Sequence, residues 1–325
     1  MRMHGVNLGG WFIPERWMTP ALFNGIDAID SMTLLATNEG KRRYLHHIHE
    51  FIDDKDIEFL SQNGVRILRV PVGWWMVNDQ DQDEDEEVAQ ACITRLDWLF
   101  DFAEQKNLLI LLDYHAARGS QNGKDHSGAV GLIQWKQYRA KNLFYLKYFA
   151  KRYSVSPALW GVELINEPVV KRQFWFLFRY YRAAKKQLRN VLSSDVRIVI
   201  HDGFMPLLFS HITPRRSQTV LDLHLYEIAV KKNESVDAYF DRRDARYRRW
   251  IHVLRHFQPV IVGEWSGVIP ETFLKDISEN ERRKLINENI SRQKSIYQEA
   301  DASMFWSFKA ADQMMWNFET SLRRK

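Results

Sequence analysis

Eight short apolar runs recur along the chain, most followed by an amphipathic stretch, and this alternation limits the fold more than any other feature. The runs are Met3–Asn7, Val65–Pro71, Leu108–His115, Leu159–Asn166, Val196–His201, Thr219–His224, Pro259–Glu264 and Met304–Phe308. Several are almost wholly apolar through their centres, the pattern of parallel strands covered on both faces. Helical spacing fills the gaps over Asp54–Asn63, Thr94–Gln105, Trp135–Tyr153, Phe174–Asn190, Tyr239–Phe257 and Glu279–Glu299. Phe204–Gln218 has room for a short helix at most. With no linker, repeat or low-complexity block, the 325 residues predict one α/β domain, a (β/α)8 TIM barrel. A doubly wound open sheet would want a glycine-rich phosphate loop after the first strand. Gly9-Gly10 runs straight into Trp11 and Phe12, which are too bulky to cradle a phosphate.

Two of the runs end in a carboxylate. Trp160-Gly-Val-Glu-Leu-Ile-Asn-Glu-Pro168 carries Glu167, and Pro259-Val-Ile-Val-Gly-Glu-Trp265 carries Glu264. A carboxylate closing a buried strand is costly unless it faces a polar cleft. Taken alone, each glutamate reads equally well as a helix N-terminal residue stabilised by the macrodipole. The other strand ends decide between the readings. Arg69, His115, Asn166, His224, Tyr226 and Trp306 recur at or just past the C-terminal ends of their strands, the face on which such barrels build active sites. Any one of them could be a satisfied core imidazole, a structural ion pair or a core ring. The set predicts a catalytic cleft.

The chemistry that uses such a set is glycoside hydrolysis with retention. Glu167, kept protonated by desolvation and by repulsion from Glu264, is expected to donate to the leaving oxygen and later to activate water. Glu264 is expected to attack the anomeric carbon. Arg69 and Tyr226 would hold Glu264, Asn166 would bond the 2-hydroxyl, His115 and His224 would bind hydroxyls or orient the glutamates, and Trp306 would floor the subsite. A metal enzyme would want a different pattern: there is no His-Glu-x-x-His, and in His46-His47-x-His49 only His46 and His49 share a helical face. No metal and no cofactor is expected.

Composition narrows the partners. The 12 Trp, 12 Tyr and 19 Phe exceed core needs near the strand ends, where flat apolar faces suit sugar rings. The net charge of +5 comes largely from helical stretches such as residues 242–249 and from the tail 323–325. Without a nucleic-acid motif these read as solvated faces, and no nucleic-acid partner is expected. The acidic run Asp79–Glu87 reads as an exposed loop entering a helix. Cys92 stands alone, which rules out an internal disulfide and fits a reducing compartment. No run reaches the roughly 18 apolar residues of a membrane span, so no membrane partner is expected. The first ten residues read as a strand, not a signal peptide. That predicts a cytoplasmic protein if Met1 is the natural start, and a secreted one if a leader has been removed.

Over nearly its whole length the chain resembles glycoside hydrolase family 5, and within it the exo-β-1,3-glucanase group. The likeness rests on Gly5-Val-Asn-Leu-Gly-Gly-Trp-Phe-Ile-Pro-Glu-Arg-Trp-Met-Thr-Pro20, Arg69 with Val70-Pro-Val-Gly-Trp-Trp75, Gly119–Gly128, Asn166-Glu-Pro168, His224-Leu-Tyr226, Gly263-Glu-Trp-Ser266 and Phe305-Trp306. The resemblance implies Glu167 as acid/base and Glu264 as nucleophile, with Arg69, His115, Asn166, His224, Tyr226 and Trp306 as supporting site residues. It also implies that Glu15 accepts hydroxyls of a terminal glucose. Two stretches depart from the group: Tyr114-His-Ala116 replaces Leu-His-Gly, and Lys309-Ala-Ala-Asp312 replaces Lys-Thr-Glu-Asn, so that Ala311 stands for a pocket glutamate. The expected substrate is a β-linked oligo- or polysaccharide from which glucose is released. An endo-β-1,4-glucanase or β-mannanase, and a non-catalytic carbohydrate-binding barrel, are the competing readings.

Overall fold

In the computed structural model, which describes residues 2–79, 85–171, 173–212, 219–311 and 314–319, eight parallel strands close into a barrel in chain order. They are β1 (Met3–Asn7), β2 (Ile67–Gly73), β3 (Leu109–Ala116), β4 (Leu159–Glu163), β5 (Arg197–His201), β6 (Thr219–His224), β7 (Val260–Trp265) and β8 (Ala302–Phe305). The ring shuts where β1 pairs with β8, Gly5 opposite Met304.

The helices are α1 (Pro20–Phe23), α2 (Ser31–Leu35), α3 (Asn38–Glu50), α4 (Asp54–Gln62), α5 (Glu86–Gln105), α6 (Arg139–Arg152), α7 (Phe174–Arg189), α8 (Pro206–Ile212), α9 (Val236–Leu254) and α10 (Glu279–Tyr297). Several begin on a side-chain cap: Asp53 accepts from the Asp56 amide, and Ser278 from the Glu281 amide, satisfying donors the helix cannot.

Alternation along the strands puts two layers inside the ring. Ile67, Leu111, Val199, Val220, Ile261, Ala302 and Met304 pack as an apolar plug. Two residues further along β2, β3, β5 and β6 the inward positions are Arg69, Asp113, His201 and Asp222, all fully buried. On β7 that position is Gly263, and only glycine fits there. An added Cβ would lie 1.9 Å from Asp222 Oδ2, whose partner oxygen accepts the Gly263 amide at 2.5 Å. The core floor is therefore hydrocarbon and the storey above it is ionic.

Several expectations need correction. β4 ends at Glu163, not Asn166. Beyond it the Leu164 amide still bonds Val199 O at 3.0 Å, and the Asn166 amide crosses to Tyr114 O at 3.1 Å. Strand eight spans Ala302–Phe305, earlier than the apolar run suggested, so Trp306 lies just past its end. The basic run 242–249 is not simply a solvated face: Arg243 is buried, with its guanidinium on Asp244 and on Asn289 of α10, and Arg242 is bonded to Glu234 at 2.6 Å. The tail 323–325 lies outside the described residues.

Of the acidic run, residues 80–84 also lie outside them. The rest starts α5: Asp85 caps the Val88 amide, Glu86 and Glu87 occupy the first turn, and Lys41 pairs with Asp85 and Glu87 at 2.7 Å each. This moves the helix start eight residues before Thr94. The lone thiol, Cys92, is buried 3.2 Å from the Tyr44 hydroxyl, and burial pushes it up to about 12. Among the described residues no helix is long and apolar enough to cross a membrane.

Candidate active site

Arg69 organises the site. Fully buried, its guanidinium donates to Glu163 Oε2 at 2.9 Å, Asn7 Oδ1 at 2.9 Å, Glu264 Oε1 at 2.8 Å and Asn166 Oδ1 at 2.9 Å, with Asp113 Oδ2 at 3.1 Å. Four of these five partners come from other strands of the barrel, and Asn166 follows β4, so one planar cation ties the strand ends to a common centre. Burial pushes the Glu163 carboxyl well above its ordinary range despite Arg69, and Asp113 and Asp222 add to the push. Asp113 is driven up by burial too, but Arg69 and His115 outweigh this and hold it low. Truncating one partner of such a buried cluster costs about 3–5 kcal/mol. Arg69→Met is therefore expected to lower the urea midpoint sharply, besides abolishing activity; a midpoint within experimental scatter of the parent would refute the organising role.

Glu264 sits in β7, where irregular register turns it toward Arg69. The β6–β7 ladder shifts between Leu223 and His224, which sets His224 opposite Glu264. Its second oxygen accepts from the Tyr226 hydroxyl at 3.1 Å. Glu167 lies beyond β4, in the left-handed region at φ 41°, with Pro168 after it. That backbone is unusual for a residue with a side chain and is held by Asn122, whose amide group donates to Glu167 O at 3.1 Å.

His224 joins the two glutamates. Its Nδ1 is 2.7 Å from Glu167 Oε1 and 3.4 Å from Glu264 Oε2. Both carboxylates therefore face one imidazole nitrogen. The expectation that Glu167 rests protonated is corrected by the same contact. Burial pushes Glu167 up, but the His224 hydrogen bond and the neighbouring imidazole of His126 overcome it and hold the carboxyl well below its ordinary range. Burial pulls His224 down, yet Glu264, Asp222 and Glu167 hold it well above. The two shifts run in opposite directions, Glu167 toward its carboxylate form and His224 toward its protonated form.

The remaining expected residues fall around this pair. His115 stacks on Trp306 with ring centres 5.5 Å apart, and its Nδ1 lies 2.5 Å from Asp113 Oδ2. Asn166 Nδ2 faces His115 Nε2 at 3.2 Å and His126 Nδ1 at 3.3 Å. Glu15 is buried, accepts from Trp17 Nε1 at 2.8 Å, and is pushed well up by burial, then by Asp125, Glu264 and Glu167 against the Trp17 bond. Trp316 packs against both Trp17 and Tyr226, narrowing this side. Ala311 lines a cleft of about 770 Å³ with Met18, His46, Lys309 and Ala310, and Met18 and Ala310 back onto Trp306.

Sequence reasoning missed Asn7, Asp113, Glu163, His201, Asp222 and His126. A signal was present for three of them: single carboxylates at Asp113, Glu163 and Asp222 interrupt otherwise apolar strands at the parity of the interior. His126 comes from the loop after β3, with Nε2 3.4 Å from Glu167 Oε2, and no strand pattern announces it.

Among the described residues two groups of atoms lie close enough to share an ion, Glu167–His201–His224 and Glu163–Asp222–His224. Neither donor set suits one. Arg69 already stands 2.9 Å from Glu163 and 3.8 Å from Asp222. His201 Nδ1 accepts the Gly203 amide at 2.8 Å, so its Nε2 carries the proton and has no lone pair to offer.

The sequence matches the family model for cellulase (glycosyl hydrolase family 5) over residues 35–312. The chain belongs to glycosyl hydrolase family 5. Family 5 chains are glycoside hydrolases. A probable glucan 1,3-beta-glucosidase A of Aspergillus niger is 31% identical over 278 residues, 83% of this chain and 66% of the relative. Glucan 1,3-beta-glucosidase 1 of Schizosaccharomyces pombe is 28% identical over 83% of this chain and 69% of its own length. The chain thus spans about two thirds of these relatives. Among solved structures, the rutinosidase of Aspergillus niger superposes with a TM-score of 0.80 at 21% identity, covering 98% of this chain and 95% of that one. Endo-glycoceramidase II from Rhodococcus sp. gives 0.62 at 13% identity, covering 98% and 75%. Both likenesses speak to the fold of this family 5 chain.

Proposed function

We propose that this family 5 chain is a retaining β-glucoside hydrolase that releases glucose from the end of β-1,3-linked glucans or short β-glucosides. The observation that carries the reading is the His224 bridge, with one imidazole nitrogen bonded to Glu167 and 3.4 Å from Glu264. A retaining mechanism needs both carboxylates close to one substrate, and the imidazole nitrogen they share holds them near each other. The names of the curated relatives support the substrate class.

Glu264, fixed by Arg69 and Tyr226 before substrate arrives, attacks the anomeric carbon. As the glycosidic bond breaks, Glu167 passes the proton it draws from His224 to the leaving oxygen. Once Glu264 is esterified its charge is gone, and Glu167 takes a proton from water that then attacks the ester. Asn166 presents its Nδ2 donors beside His115 where a 2-hydroxyl can bind, and Trp306 supplies the flat face under the ring.

The test is product analysis on laminari-oligosaccharides with the anomers followed by NMR. Glucose as the first product, released as the β anomer, is expected. An α anomer, or oligomers appearing before any monosaccharide, would overturn retention or exo action respectively.

Glu15 adds a second expectation. A charged or strongly polar hydrogen bond to a sugar hydroxyl is worth about 1.5–3 kcal/mol, so Glu15→Ala should lower kcat/KM on terminal-glucose substrates by about one to two powers of ten. Because its environment favours the protonated carboxyl, Glu15→Gln should retain most of the activity. Equal loss in both variants would count against the role.

A further inference from the structure

The loop between β3 and α6 clasps the segment that carries Glu167. Gln121 donates its side-chain amide to His115 O at 2.6 Å and to Asn166 O at 2.9 Å, and Asn122 donates to Glu167 O. The loop is tied down on its far side as well. The Met32 amide bonds Gly128 O at 3.0 Å, and Asp30 Oδ2 accepts the Val130 amide at 2.7 Å. Ser120 Oγ accepts the Gly123 amide at 2.9 Å and lies 2.5 Å from Ser127 Oγ. None of these anchors uses the ring of His126, which the loop turns toward Asn166 and Glu167.

Arg69 fixes which way the hydrogen bonds run from there. A guanidinium only donates, so Asn166 presents Oδ1 to Arg69 and turns its two Nδ2 hydrogens away. They face His115 Nε2 at 3.2 Å and His126 Nδ1 at 3.3 Å, and both ring nitrogens must accept. Burial pulls His126 down to about 4, against the nearby charge of Glu167, so at neutral pH its ring carries one proton. With Nδ1 accepting, that proton sits on Nε2, 3.4 Å from Glu167 Oε2. The other oxygen, Oε1, faces His224 Nδ1 at 2.7 Å. Each oxygen of Glu167 thus meets one imidazole nitrogen, from β6 on one side and from the β3 loop on the other.

Glu167 needs the second hold. It lies beyond the end of β4 on a left-handed backbone, so no strand ladder sets the direction of its side chain. A carboxyl held at one oxygen can swing about that bond, and displacing a reacting group by about 1 Å can cost roughly 10²-fold in rate. Resting on the retaining hydrolase reading above, we propose that His126 is a positioning residue for the acid/base. Its Nε2–H keeps the Glu167 carboxyl in the plane from which it protonates the leaving oxygen and, in the second step, takes a proton from water. At 3.4 Å the contact is longer than a full hydrogen bond, so it steers Oε2 without closing it to the substrate.

The test compares His126→Asn with His126→Gln. The shorter amide can accept from Asn166 in place of Nδ1 but ends short of Glu167, whereas the longer one reaches about as far as Nε2. Rates are scaled to active sites counted with an activated 2-fluoroglucoside, so that a partly folded preparation does not register as a loss. His126→Asn should lower kcat/KM for butyl β-D-glucoside about tenfold or more, because an alkoxide leaves only with a proton. For dinitrophenyl β-D-glucoside, whose leaving group needs none, kcat/KM should stay within about twofold of the parent while kcat falls, since water still needs the base. His126→Gln should keep the butyl value within about threefold of the parent. Equal loss of kcat/KM on both substrates in His126→Asn overturns the proposal in favour of a role in shaping the sugar site. No loss on either substrate overturns it, and so does a His126→Gln that falls as far as His126→Asn; in all three cases hydrolysis by the parent stands. Failure of the parent to turn over either β-glucoside overturns the underlying hydrolase reading and this proposal with it.

Discussion

Glu264→Ala is expected to abolish hydrolysis of every β-glucoside, on the order of 10⁴- to 10⁶-fold in kcat, the scale seen when a nucleophile is removed from an otherwise intact site. The fold should survive. Arg69 Nη1 loses Glu264 as an acceptor but keeps Asn7 at 2.9 Å, and its other nitrogens keep Glu163 and Asn166. An unchanged far-UV spectrum checks this, with a single cooperative melt at a temperature lowered by the loss of one partner of the buried cluster. A good leaving group cannot rescue the variant, since the missing step is attack at carbon. The space left by the carboxylate sits beneath the anomeric centre, so added azide should enter there and give the α-glucosyl azide by a single displacement. Residual activity within tenfold of the parent on dinitrophenyl β-D-glucoside would sink the assignment of Glu264.

How much of this site the sequence discloses depends on where each residue sits in the barrel. Residues near the ends of apolar runs are visible because the run gives them an address. Arg69, His115, His224 and Glu264 all lie within strands, and the reading from strand order alone puts them on one face. Glu167 was legible as a residue but not in its geometry. Four positions separate it from the end of β4, and what places it is a left-handed backbone and a bond from Asn122 in the preceding loop. Local sequence carries neither fact.

The ionic storey below the site was hidden for another reason. A single Asp or Glu in a short apolar run leaves the run's average character apolar, so Asp113, Glu163 and Asp222 were absorbed into strand counts. Only the closed ring shows that their parity brings them to Arg69. The pairing of charges also altered a chemical expectation. From the sequence, two facing glutamates imply that repulsion keeps one protonated. With His224 between them, both carboxylates favour the charged form of its imidazole, and that contact holds Glu167 low where repulsion alone would raise it.

That arrangement sets the pH behaviour of the second large effect. Glu167 is depressed, so it stays ionised until the pH falls through its lowered value. His224 is raised, so it stays protonated until the pH rises through its elevated value. Between those limits the pair holds one proton, and kcat/KM should fall on the alkaline side only as that proton is lost, above the ordinary imidazole range of about 6.5. Glu167→Ala removes the route from this store to the leaving oxygen. General acid catalysis contributes about 10²- to 10⁴-fold, so alkyl β-glucosides should lose that much. Dinitrophenyl β-D-glucoside, whose leaving group needs no proton, should keep a fast first step and accumulate the glucosyl-enzyme as a burst. Azide should then speed turnover and yield the β-glucosyl azide, because it attacks the ester from the face water normally uses. The alkaline limb should vanish from the profile of that substrate, since the titrating pair no longer serves the reaction. Equal losses on alkyl and dinitrophenyl glucosides, with no burst and no azide effect, would show that Glu167 positions the substrate and does not protonate it.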